Sequence, residues 1–187
     1  MAMQIDDVVT SNLVPQDPAT LRDLLSAGKK VPPDGTALLM QDHAEVRAMF
    51  QQHETEASDR MKAVLAAKIC SALTVHARLE EEIFYPEAER ALEDDDQVEE
   101  AIEEHSEMKE QIGKIIEGLA AEGAVGPGVQ QLMQLVEHHV EEEESEMFPD
   151  MRGTDANLYA LGAQMAARRV EAFLGLKRSV DEVQARL

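Results

Sequence analysis

This sequence predicts an all-α fold, and three observations support that prediction. Trp is absent and aromatic residues make up only 3% of the chain, so aliphatic residues, Ala and Met must build the core, which suits helices better than sheets. Apolar residues recur at helical spacing in four stretches of similar length. The connections between them are short. We therefore expect an up-down-up-down four-helix bundle with an N-terminal arm and an additional C-terminal helix.

The elements follow in chain order. Four prolines and a glycine punctuate residues 1–35, which we interpret as an arm with one short helix. The bundle domain occupies residues 36–150. Its helices are expected at Asp34 or Thr36 to Ser58, Ser58 or Asp59 to Pro86, Asp96 to Ala121, and Val129 to Met147, the last stopped by Pro149. Residues 151–187 form the additional helix, from about Asp155, packing on or beside the bundle, with Gly175 as a point where it could break.

Charge and cysteine content exclude several classes of protein. The formal net charge is −21, which repels phosphate backbones and anionic membranes, so we expect no nucleic-acid or membrane partner. One cysteine permits no intrachain disulfide. No signal peptide or membrane-spanning run is evident, so we expect a cytoplasmic protein. A homodimer stays open.

Two similar stretches end the second and fourth helices. HARLEEEIFYP spans residues 76–86 and HVEEEESEMFP spans 139–149. Each has a histidine, a glutamate four residues later and a proline at the same distance. Residues four apart share a helix face, so His76 with Glu80, and His139 with Glu143, can each offer a nitrogen and an oxygen to one interior site. Buried without partners these groups are costly, and a dication removes that cost.

The other two helices each supply a histidine on their predicted apolar face. His43 is in line with Val46, and His105 lies between Ile102 and Met108. Six protein ligands are too many for one tetrahedral zinc and suit two metal ions bridged by carboxylates. Imidazole and carboxylate without thiolate suit iron, manganese or zinc.

In order, DHAEV, HARLEEEIFYP, EEHSEMK and HVEEEESEMFP resemble the signature of hemerythrin-like (HHE cation-binding) domains of the bacterial type over about residues 36–150. The resemblance implies two iron ions, with oxo or hydroxo and carboxylate bridges, rather than manganese or zinc. It implies terminal ligands His43, His76, His105 and His139, and bridging ligands Glu80 and Glu143. Lys109 stands where oxygen-carrying relatives have a further histidine. A five-residue offset from His139 would make Glu144 the ligand instead of Glu143.

Fewer protein ligands leave coordination positions open to O2, hydrogen peroxide or NO. The first hypothesis is a di-iron protein that reacts with these small oxidants in oxidative or nitrosative stress defence, with catalase-like or NO-reducing turnover left open. The alternative is an oxygen or iron sensor or carrier without turnover. A metal-free structural bundle is the third. Lys109 is interpreted as a surface residue, with the alternative that its ammonium reaches the cavity and hydrogen-bonds a bound anion. Tyr85 is interpreted as core or rim packing, although a phenol near a di-iron site can donate a proton or be oxidised. His138 is interpreted as a surface residue or an indirect contributor to the site.

Overall fold

The structure is a computed structural model that describes residues 33–92, 96–121 and 123–184, with side chains up to residue 172. The all-α prediction is confirmed, because these described residues form helices and no strand. The predicted arm, apart from its last residues, lies outside the described residues. The helices are α1 (Gly35–Thr55), α2 (Asp59–Leu79), α3 (Tyr85–Ala91), α4 (Asp96–Ala120), α5 (Gly126–Glu142), α6 (Phe148–Arg152) and α7 (Leu158–Gln184).

Two π-helical segments were not foreseen. The first π segment, Glu80–Phe84, joins α2 to α3, and the second π segment, Glu143–Met147, joins α5 to α6. Pro86 and Pro149 were expected to end their helices, and this was wrong: helical structure continues to Ala91 and Arg152. Each proline occupies the first turn of the helix after the π segment, where a backbone N–H has no helical partner to lose.

Residues 39–156 form one compact unit, which contains α2, α4 and α5 and all of α1 except its first four residues. His43 and His105 lie in the N-terminal halves of α1 and α4, whereas His76 and His139 lie near the C-terminal ends of α2 and α5. Their side chains meet at one level, so consecutive helices run in opposite directions.

One apolar core fills this unit. It draws on α1, α2, α4 and α5, with members that include Val46, Phe50, Ile69, Cys70, Leu73, Met108, Ile112, Leu132, Val136 and Val140. On α4 the buried positions follow a heptad through Val98, Ala101, His105, Met108, Ile112 and Ile115. The expectation that Ile102 lies on this face was wrong: it sits one residue past the seam and is 42% exposed.

A second compact unit contains the described residues 33–38 and 157–184. Asp34 caps α1, since its Oδ1 accepts the backbone N–H of Ala37 at 2.9 Å. α7 runs unbroken through Gly175. Gly162 permits close approach of the chain here, because a Cβ at this position would lie only 2.2 Å from the carbonyl oxygen of Pro33.

Candidate metal centre

All six predicted ligand residues are buried and converge in the middle of the 39–156 unit. The exposed fractions are 3% for His43, 5% for His76, 0% for Glu80, 1% for His105, 1% for His139 and 1% for Glu143. α1, α2, α4 and α5 contribute the histidines, and each π segment contributes its first residue as a glutamate. Their donor atoms fall into two adjacent groups.

Half-site A consists of His43, His76, Glu80 and Glu143. The Nε2 atoms of His43 and His76 are 3.1 Å apart. Oε1 of Glu80 lies 3.0 Å from Nε2 of His76, and Oε2 of Glu143 lies 3.3 Å from Nε2 of His43. Adjacent ligands of an octahedral ion with bonds of about 2.1 Å are roughly 3 Å apart, so these spacings suit donors around one cation.

Half-site B consists of His105, His139 and the other oxygen of Glu80. The two histidine Nε2 atoms are 3.2 Å apart, and Oε2 of Glu80 lies 3.3 Å from Nε2 of His105. Oε2 of Glu143 reaches this half-site too, at 3.6 Å from Nε2 of His139. Both glutamates therefore stand between the half-sites, as bridging carboxylates would.

Every inner histidine has a carboxylate on its outward nitrogen. The Nδ1 atoms of the four histidines pair with Glu144 (His43, 2.9 Å), Asp42 (His76, 3.5 Å), Glu81 (His105, 2.8 Å) and Glu104 (His139, 2.9 Å). An ionised carboxylate only accepts hydrogen bonds, so each Nδ1 carries the proton. In the neutral tautomer each Nε2 then presents a lone pair inward, which is the arrangement of metal-ligating histidines.

Several inward-facing atoms lack hydrogen-bond partners. When both imidazoles of a pair are neutral, their Nε2 lone pairs at 3.1 and 3.2 Å repel each other, and a proton or a cation between them removes that repulsion. Both oxygens of Glu80 and Oε2 of Glu143 are buried without a hydrogen bond. Buried polar atoms without partners are expensive, so this concentration of lone pairs is the observation that fits a cation in each half-site.

Electrostatics of the metal-free protein also favour cations here. Burial, followed by the negative charge of Glu80, raises the pKa of Glu143 to about 7. Burial opposes protonation of His76, but the adjacent Glu80 outweighs it and raises the pKa of His76 to about 10. For His43, burial and the charge of His76 lower the pKa to about 4. Without metal the centre therefore holds protons where a metal would otherwise supply positive charge.

The π segments place an aromatic residue on the same face as each inner carboxylate. In each segment the carbonyl of the leading glutamate accepts the N–H five residues later, from Tyr85 or Phe148. This wider turn keeps Glu80 and Tyr85 on one face of the chain, and likewise Glu143 and Phe148. Single π turns inside α-helices frequently mark functional sites.

The structure separates residues that the acidic runs left ambiguous. Glu143 points into the centre, whereas Glu144 contacts His43 from outside and also accepts from Arg47 at 3.2 Å. His138 is exposed, with a 65% exposed side chain, and its Nε2 lies 3.5 Å from Glu104. Lys109 is at the surface and donates to Glu81 at 2.5 and 2.7 Å.

Sequence reasoning missed the outer carboxylates Asp42, Glu81 and Glu104. The sequence did contain a signal for them. Asp42 and Glu104 directly precede the inner histidines of α1 and α4, and Glu81 and Glu144 directly follow the inner glutamates. An acidic residue therefore adjoins one predicted ligand in each of the four segments.

Aromatic residues close one side of the centre. Tyr85 is 1% exposed, and its hydroxyl donates to Oε1 of Glu143 at 3.0 Å while lying 3.2 Å from Nε2 of His105. Burial, then the charges of Glu143 and Glu80, raise the pKa of Tyr85 well above its usual range. Phe148 stacks on the His43 ring at a centroid distance of 5.8 Å.

A cavity of about 50 Å³ opens on the other side of the histidines. Its lining joins the four histidines to apolar side chains of the core: Val46, Leu73, Met108, Ile112, Val136 and Val140. One water needs roughly 10–15 Å³ by this kind of measure, so the cavity admits a molecule of a few atoms and no more. The walls are largely apolar, and besides the histidines the polar residues that line the cavity are Asp42, Thr74 and Lys109.

The family of the chain follows from its match to a family description. The hemerythrin HHE cation-binding domain matches residues 34–151, more than half of the chain. The chain belongs to the hemerythrin HHE cation-binding family. Membership implies metal-ion binding, and the His/Glu groups of this hemerythrin-like bundle provide donors for it.

One curated relative is a Nostoc protein described as a DNA nickase, 29% identical over 119 residues, which are 62% of this chain. The match spans only 32% of that relative, so the hemerythrin-like chain corresponds to about a third of its length. No solved structure matches the chain significantly. Among the described residues, none of the helices combines the length and apolar character needed to cross a bilayer.

Proposed function

We propose that this hemerythrin-like protein binds two iron ions, one in each half-site, and reacts with small oxidants such as hydrogen peroxide, O2 or NO. The observation that carries the proposal is the convergence of four imidazole lone pairs and three unpartnered carboxylate oxygens beside a cavity of a few atoms. Oxidative or nitrosative stress defence is the role that suits such a centre.

The donors and the family resemblance together favour iron. Both half-sites offer imidazole and carboxylate, a mixture that suits iron, manganese or zinc. The resemblance to hemerythrin-like domains is what favours iron among them. The single thiol, Cys70, is buried in the apolar core cluster and belongs to neither group. A pair of iron ions would supply electrons to a small oxidant and recover them later.

The residues around the centre would control access and orientation. The outer carboxylates hold the imidazoles in one tautomer and one orientation. The apolar cavity walls exclude bulk water and restrict the guest by size. The Tyr85 hydroxyl holds one oxygen of Glu143, leaving the second oxygen between the half-sites. Together these contacts supply a preformed site that needs little rearrangement to bind metal.

An oxygen or iron sensor or carrier without turnover is the second candidate. The enclosed, largely apolar lining of the cavity favours it, because such a pocket retains a neutral diatomic molecule without requiring proton transfer. A fully reversible, oxygen-dependent absorption spectrum with no net peroxide consumption would identify this candidate.

DNA nicking, the activity named for the Nostoc relative, is not part of the proposal. A formal net charge of −21 opposes approach to a phosphate backbone. The shared segment also covers only 32% of that relative.

The test combines metal analysis with peroxide turnover by the purified, iron-loaded protein. We expect two iron ions per chain, an absorption spectrum that changes on adding peroxide, and decomposition faster than that of free iron at equal concentration. Adjacent histidines provide a matched pair of variants: His139→Ala should reduce both iron content and turnover, whereas exposed His138→Ala should change neither. Turnover no faster than free iron would exclude the enzymatic proposal.

A further inference from the structure

The hydroxyl of Tyr85 faces two hydrogen-bond acceptors with only one proton. Oε1 of Glu143 lies 3.0 Å from it, and Nε2 of His105 lies 3.2 Å from it. Glu81 holds a proton of His105 on Nδ1, so Nε2 carries a lone pair when the ring is neutral, as it must be to bind a metal. A single O–H satisfies one acceptor and leaves an oxygen lone pair directed at the other. Buried lone pairs that face each other without a proton between them are also what marks the predicted ligands.

The distances place the phenol oxygen among the donors of half-site B. Half-site A has four close donors from four residues, whereas half-site B has three, from His105, His139 and Glu80, with Oε2 of Glu143 farther out at 3.6 Å from Nε2 of His139. The separation of 3.2 Å between the Tyr85 oxygen and His105 Nε2 equals that between the two histidine Nε2 atoms. Adding the phenol oxygen gives half-site B a fourth close donor, and its 3.2 Å distance from His105 Nε2 is close to the roughly 3 Å expected between adjacent ligands of an octahedral ion.

The repeat provides an internal comparison. Tyr85 follows Glu80 by five residues, and Phe148 follows Glu143 by five, each as the residue that ends its π hydrogen bond. Phe148 stacks against His43 with an interplanar angle of 10° and has no oxygen to offer. The two equivalent positions therefore differ by a single hydroxyl, which is present only next to half-site B.

We propose that Tyr85 is a protein ligand of the metal in half-site B, so that the two metal ions have different ligand sets. The inference rests on the proposed two-metal centre and adds a ligand to it. On binding, the O–H bond of the phenol breaks, the metal–oxygen bond forms, and the proton leaves to solvent with no change in oxidation state. Phenolate stabilises ferric over ferrous iron, so the half-site B ion becomes the harder of the two to reduce.

The test is the phenolate-to-iron charge-transfer signature of the ferric-loaded full chain, read by visible absorption and resonance Raman spectroscopy. The chain has only two tyrosines, Tyr85 and Tyr159. We expect tyrosinate vibrations in the wild-type protein and in Tyr159→Phe. In Tyr85→Phe, which copies the residue at the equivalent position 148, we expect them to disappear while His43 and His76 still hold an ion in half-site A.

Iron analysis of the same samples tests the Tyr85 ligand and the two-iron centre separately. A wild-type protein with two iron ions and no tyrosinate signature overturns the ligand and leaves the two-iron proposal intact, as does a signature that survives Tyr85→Phe. A chain that takes up no iron overturns both. Should Tyr85→Phe fail to fold, Tyr159→Phe still decides: a retained signature assigns it to Tyr85, and a lost one refutes the inference.

Discussion

Half-sites A and B are built on the same plan and finished differently. In each, a histidine from the start of one helix meets a histidine from the end of the next, and each pair shares the same two glutamates. A basic residue also lies behind each: Arg47 pairs with Glu144 near half-site A, and Lys109 pairs with Glu81 near half-site B. The half-sites differ in the aromatic residue next to their histidines, which is Phe148 at half-site A and Tyr85 at half-site B. The repeat thus fixes the binding frame, and single substitutions around it make the halves unequal.

The largest expected effect comes from the glutamate common to both halves. Glu80→Gln removes a negative charge from the two half-sites at once and places amide hydrogens where lone pairs were needed. We expect loss of both metal ions, measured as metal per chain after loading and desalting. Glu82→Gln, in the same π segment with a 41% exposed side chain, is the control and should retain two. Two ions bound by Glu80→Gln would contradict the bridging arrangement.

Removing one histidine should separate the halves. His43→Ala deletes a donor of half-site A only, and His105→Ala a donor of half-site B only. We expect each variant to retain about one metal ion per chain, because the opposite histidine pair stays intact. His53→Ala is the control, since this buried α1 histidine belongs to neither group. If either variant lost both ions, the halves would bind as one unit.

Substituting the outer carboxylates should reduce metal affinity by less, and each substitution should affect only one half-site. Glu104→Gln weakens the charge-assisted contact that orients His139, and Glu144→Gln does the same for His43. Changes of this kind typically reduce metal affinity about 10–100-fold. Competition with a chelator should show one weakened site in each variant, half-site B in the first and half-site A in the second. Glu141→Gln, on the exposed face, should match the wild type.

The six predicted ligands could be inferred from the sequence, whereas three of the four carboxylates that contact the histidine Nδ1 atoms could not. The His-x3-Glu repeat exposed the inner residues because residues four apart share a helix face whatever the rest of the bundle does. Glu81 and Glu104 belong to acidic runs and Asp42 stands alone before His43, and only the packing of a neighbouring helix distinguishes the three from solvated charges. Glu143 and Glu144 stayed ambiguous because a five-residue offset from His139 was also possible. The structure decides for Glu143, whose backbone N–H bonds to the His139 carbonyl as in an α-helix, so the four-residue spacing holds.

Proton release should accompany metal binding. In the metal-free protein the pKa of Glu143 is raised to about 7 and that of His76 to about 10, so both groups are wholly or partly protonated near neutrality. Both must lose their protons to bind a metal, so affinity should rise with pH. Each displaced proton contributes about tenfold per pH unit below its pKa.

The measurement is proton uptake or release in weakly buffered solution when ferrous iron is added without oxygen. More protons should leave at pH 6 than at pH 8, because Glu143 has already lost its proton at the higher pH. Affinity that is flat between these values, with no proton release, would mean that the groups are already ionised in the metal-free protein. Glu143 lies between the two half-sites, so the first metal ion to bind, in either half-site, should displace its proton.

The smallest expected effects concern the basic residues behind the two halves. Arg47 contacts both oxygens of Glu144, at 3.2 and 3.4 Å, and Lys109 contacts both oxygens of Glu81. Their side chains are 41% and 54% exposed, so solvent screens each pair, and such pairs contribute about 1 kcal/mol or less. Arg47→Met and Lys109→Met should therefore reduce metal affinity roughly fivefold at most, in half-site A and half-site B respectively. Raising the salt concentration should shrink both effects further. A loss for Lys109→Met as large as that for Glu104→Gln would show instead that the lysine charge acts on the centre itself and not only through Glu81.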